Sequence, residues 1–78
     1  MSIETKLARA MSELDERGVL VLQDPEIDTT RIAQVGRGWK VTTEFEGEPC
    51  GDYLVTKREQ VEKTIRSWLK CQEQLDSL

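Results

Sequence analysis

Between Trp39 and Phe45 the chain alternates with period two. Trp39, Val41, Thr43 and Phe45 fall on one side, and Lys40, Thr42 and Glu44 on the other. Such an alternation describes a β-strand with one face buried and one face wet, so the chain is committed to a sheet covered on one side only. Turn chemistry follows at Glu46-Gly47-Glu48-Pro49, and then a return run from Cys50 to Val55 in which Tyr53 and Val55 share a side. An antiparallel pair therefore occupies the middle of the chain, and something apolar must cover it.

Helical spacing at both ends supplies the cover. After Ser2, a natural N-cap, the apolar residues Ile3, Leu7, Ala10, Met11 and Leu14 form one stripe, and Gly18 is a natural stop, which predicts a helix from about residue 3 to 17. Thr56-Lys57-Arg58-Glu59 fits a T-x-x-E capping box opening a second helix. Its stripe is Val61, Ile65, Trp68, Leu69 and Leu75, with Glu59/Lys63 and Glu62/Arg66 spaced as i,i+4 ion pairs.

Between the first helix and the alternating strand, Val19-Leu20-Val21-Leu22 is a continuous apolar run that predicts a strand buried on both faces, ended by Asp24-Pro25. Pro25 to Thr30 is a polar connection, and Arg31 to Val35 is a weaker strand candidate that turns through Gly36-Arg37-Gly38. The order is helix, three or four antiparallel strands, helix. The fold expected is a single α+β domain over residues 1–78, a two-layer sandwich with both helices on one face of a meander sheet.

With 78 residues, 37% of them hydrophobic, the core must be small. Trp39 and Trp68 share stripes with apolar neighbours and are read as core; Phe45 and Tyr53 are the only other aromatics. So little aromatic area invites completion of the apolar surface by a second copy or a partner. No run has the length of a signal peptide or of the roughly 18 apolar residues of a membrane span, so the expectation is a soluble, cytoplasmic chain without membrane contact. Cys50 and Cys71 form no CxxC pair and are read as partly buried free thiols in a reducing compartment.

Histidine is absent, which removes Ser–His and Cys–His nucleophile pairs and histidine-containing zinc sites. Gly36-Arg37-Gly38 is a turn rather than a phosphate cradle, since no helix N-terminus follows it. The chain is expected to be no enzyme, with no catalytic residue, metal or cofactor.

Charge is the more informative property. The net value of -4 disfavours nonspecific binding to nucleic acid or anionic membrane. Along the chain the charge is segregated: residues 19–30 sum to -3, residues 31–40 (Arg31, Arg37, Lys40) to +3, and residues 41–56 (Glu44, Glu46, Glu48, Asp52) to -4.

The helix, three strands, helix order resembles the double-stranded-RNA-binding domain, whose second helix opens with phosphate-gripping lysines. Lys57 and Arg58 match part of that pattern, while Glu59 and Val61 depart from it and the loop that enters the minor groove has no counterpart. The run from Trp39 to Leu69, strand, Gly47 turn, strand with Gly51, then a helix, is similar to the meander-then-helix pattern of small phage-encoded anti-CRISPR inhibitors. That resemblance implies a non-catalytic inhibitor of a nucleic-acid-handling complex that presents carboxylates to a basic channel.

The expected function is protein binding through an acidic surface of Glu44, Glu46, Glu48 and Asp52, with Arg31, Arg37 and Lys40 as the competing surface. Two alternatives stand beside it. One is a nucleic-acid-binding module using Lys57 and Arg58; the other is a self-associating structural or assembly component, for instance a homodimer.

Overall fold

The computed structural model describes residues 2–76. Its elements are α1 (Ile3–Arg17), β1 (Val19–Asp24), β2 (Ile27–Val35), β3 (Gly38–Phe45), β4 (Glu48–Val55) and α2 (Arg58–Asp76). The strands form one antiparallel meander in the order β1-β2-β3-β4, and both helices lie on the same face of it. Among the described residues no helix is long and apolar enough to cross a membrane.

Local chemistry sets both ends of α1. The Ser2 side chain accepts a hydrogen bond from the Thr5 amide, and Gly18 adopts a left-handed φ of 72° while its amide donates to the Leu14 carbonyl at 2.8 Å. A side chain at Gly18 would meet no neighbour, but the backbone conformation itself disfavours one.

Leu14, Ile32, Val41, Val61 and Ile65 are fully buried, drawn from α1, β2, β3 and α2. They mark the core between the layers, where each fully buried aliphatic side chain contributes roughly 1.5–3 kcal/mol relative to exposure. Trp68 is buried beside them, and its Nε1–H donates to the Asp28 carbonyl at 2.9 Å, tying α2 to β2; Trp39 is half-buried against the same core.

Several local expectations are corrected. β1 is buried on one face only: Leu20 and Leu22 point under the helices, whereas Val19 and Val21 are each 43% exposed. β1 is an edge strand, and both helices sit on the other side from Val19 and Val21, so a continuous apolar run does not require two covered faces. The supposed connection over residues 25–30 shrinks to Pro25-Glu26, because β2 begins at Ile27 and runs for nine residues, which absorbs Arg31–Val35 and makes the sheet four-stranded. Likewise the β3–β4 turn is only Glu46-Gly47, with β4 starting at Glu48; both turn residues have positive φ (53° and 83°), as a two-residue hairpin turn of primed type requires.

The capping box at Thr56 does not form. Helix α2 opens at Arg58, and among the described residues no hydrogen bond links Thr56 to its first turn. Neither i,i+4 pair drawn within α2 forms among the described residues, and the ion pairs that Arg58 and Arg66 of α2 make run to α1 instead. Arg66 reaches Glu4 with two 3.2 Å hydrogen bonds, and Arg58 grips Asp15 with two at 2.7 Å. A neighbouring helix offers a bidentate carboxylate, and the planar guanidinium takes that geometry over a single exposed contact along its own helix. Both cysteines are free and exposed, not partly buried: Cys50 lies on the outer strand, and Cys71 on the flank of α2 that borders an open groove.

Candidate interaction surface

The antiparallel meander decides what becomes of the charge clusters. On the open face, away from the helices, Val19, Ala33, Lys40 and Leu54 form one cross-strand row, and Val21, Arg31, Thr42 and Asp52 the next. Arg31 therefore lies diagonally across from Glu44, and Lys40 diagonally across from Asp52, the spacing at which long side chains still meet. Both ion pairs form: Arg31 Nε to Glu44 Oε1 at 3.3 Å and Lys40 Nζ to Asp52 Oδ2 at 3.5 Å.

This corrects the expectation of two separate surfaces. Glu44 and Asp52 from the acidic set are engaged by Arg31 and Lys40 from the basic set, and the four share one face. Folding a +3 segment against a -4 segment as a hairpin interleaves them, so segregation along the chain is lost in space. Each pair is largely solvent-exposed and contributes little, about 0–1 kcal/mol. Of the two sets, Glu46, Glu48 and Arg37 remain without an ion-pair partner among the described residues, and they lie at opposite ends of the sheet, Arg37 in the β2–β3 turn and the glutamates at the β3–β4 turn.

The second basic candidate is divided too. Arg58 is held by Asp15, and this bidentate contact lowers the Asp15 carboxyl below its usual range and raises the Arg58 guanidinium, in both cases chiefly through the hydrogen bonds between them. Lys57 has no such partner among the described residues.

In a four-strand meander the β1–β2 and β3–β4 turns lie at one end. That end gathers Glu26 and Asp28 with Glu46 and Glu48, all exposed. Asp24 is there as well, but it is spent locally: one carboxylate oxygen accepts from the Glu26 amide at 2.9 Å and the other from Gln72 Nε2 at 3.2 Å. At the opposite end stand the Gly36-Arg37 turn, Arg17 at the close of α1, and Lys57 with Arg58 at the opening of α2. The first end is acidic, whereas at the second Arg17 is matched by Glu13 and Arg58 by Asp15, so the charges there largely offset one another.

A groove of about 580 Å³ opens at the acidic end, between α2 and strands β2 and β3. Ile27, Trp68 and Leu75 give it an apolar floor, and Glu26 and Asp28 stand on its rim beside Cys71. The exposed Phe45 sits nearby, at the last residue of β3 before the acidic turn. No protein-family model, curated protein or solved structure matches the chain.

Leu75 joins this surface from the apolar stripe of α2, whereas Glu26 and Asp28 join it without any local pattern to announce them. Their signal in the chain is the -3 charge of residues 19–30, which acquires a location only when the two turns are known to share an end.

Proposed function

We propose that this chain is a non-enzymatic domain that binds another protein at its acidic end, seating an apolar side chain flanked by lysine or arginine. One observation carries the reading: the same end holds an apolar-floored groove and four carboxylates, Glu26, Asp28, Glu46 and Glu48, that make no ion pair among the described residues. Burial of the guest's apolar group would supply affinity, and the carboxylate rim would raise the association rate and exclude acidic competitors. A basic, nucleic-acid-handling complex of the kind blocked by anti-CRISPR inhibitors is a partner of this chemistry.

The test is affinity capture from a bacterial lysate with the tagged chain, with and without nuclease, beside the triple variant E26K/E46K/E48K. The expected result is a defined protein complex recovered equally in both halves and lost with the variant. Recovery that survives the triple variant at moderate salt, or that disappears with nuclease, overturns the reading.

A further inference from the structure

The outer strand β4 leaves a row of backbone groups without a sheet partner, and such an edge is a template for another strand unless something blunts it. Its first half is blunted: Pro49 lacks an N–H, and the register shifts opposite Thr43/Glu44, where Cys50 and Gly51 form the irregularity. Its second half, Asp52-Tyr53-Leu54-Val55, is regular, contains no proline, and exposes Tyr53 by 50% and Leu54 by 72%. We propose that a second copy of this chain pairs with that half, antiparallel, about a two-fold axis at Leu54, joining the two sheets into one of eight strands.

The chemistry of the strand selects this register. With the axis at Asp52, two carboxylates would face each other. With it at Tyr53, each Asp52 would face the Leu54 of the other copy. With it at Leu54, the most exposed large apolar residue meets its own copy on the open face, and Tyr53 faces Val55 of the second copy on the helix side. Asp52 then faces Thr56 of the second copy, next to its unpaired Lys57, so opposite charges flank an apolar centre.

The helix side has space for the incoming tyrosine. A cleft of about 410 Å³ lies between the end of β4, where Tyr53 and Val55 line it, and the flank of α2, where Gln60, Lys63 and Ser67 supply polar side chains. The two-fold fills both clefts reciprocally. The groove at the acidic end is a different surface, so this interface does not depend on the function proposed above.

The deciding experiment is sedimentation velocity of the full chain from low to high concentration, with Leu54→Lys, Leu54→Glu and an equimolar mixture of the two. Wild type is expected to pass from 9.0 kDa to twice that mass. Each single variant should dimerise about tenfold more weakly or worse, because like charges then face each other at the axis. The mixture should restore a dimer of one copy of each, an outcome only a register with Leu54 on its own copy provides. Leu54 is exposed enough for both variants to fold, which thermal melts in dilute solution will verify. A wild type that stays monomeric, variants that dimerise normally, a mixture that fails to recover, or disruption by Val21→Lys instead of the Leu54 changes would each overturn the proposal.

Discussion

The two edges of the sheet, β1 and β4, are strands of similar length at equal distance from the sheet's centre, and they differ in almost everything else. On β1 burial alternates, with Leu20 and Leu22 sealed beneath the helices. On β4 seven of eight residues are exposed and only Val55 is buried. The helix layer is narrower than the sheet and is displaced toward β1, so one edge belongs to the core and the other stands outside it. An edge strand is therefore defined less by its position in the sheet than by whether the second layer reaches it.

The largest test of that contrast compares two leucines on opposite edges. Leu20→Ala is expected to cost about 2–5 kcal/mol, the range for removing a buried leucine side chain, whereas Leu54→Ala in dilute monomer should change stability by no more than about 0.5 kcal/mol. Guanidinium unfolding of both variants measures this, and equal losses would break the comparison.

Gly38→Ala probes the close approach of β3 to the last residue of β4. A Cβ at Gly38 would lie 2.6 Å from the Val55 carbonyl oxygen, a backbone atom that cannot swing aside. The expected cost is about 1–3 kcal/mol. Faster amide exchange should appear at Val55 and its neighbours before it appears in β1; uniform loss of protection would mean that β4 is as well integrated as β1.

The smallest effect concerns the helix layer that covers β1. Asp15 has its carboxyl pKa held low by the hydrogen bonds from Arg58, so the pair's contribution is present above the unfolded carboxyl value of about 4 and is lost as pH falls through the lower folded value. Asp15→Asn should therefore lower the melting temperature slightly at neutral pH, with the difference from wild type vanishing in acid. A difference that persists below the folded-state titration would assign the effect to packing.

Much of this fold is legible one element at a time. The stripe from Leu7 to Leu14, the Ser2 cap, the Gly18 stop and the parity of Trp39 with Val41 all correspond to observed features, because each depends on contacts within a few residues or on a single periodicity. Less legible are the features that need two elements at once. Val19 and Val21 look as buried as Leu20 and Leu22 until the helices are known to occupy one face. Arg66 has a helical partner in Glu62 on paper and finds Glu4 instead.

The interaction surface shows the same division more sharply. Glu46 and Glu48 stand at the hairpin where turn chemistry puts them, but Glu44 and Asp52 are drawn into pairs with Arg31 and Lys40, and their places at the acidic end are taken by Glu26 and Asp28. Periodicity, caps and turns by themselves determined the two helices, the antiparallel meander and the face that β3 presents to the core, since those follow from local steric preference and the removal of apolar side chains from water. Only the tertiary structure decided which charges cancel, which end stays acidic and which edge stays open. Electrostatic pairing and layer coverage depend on distances between elements far apart in the chain, and those distances exist only once the sheet has paired and the helices have docked.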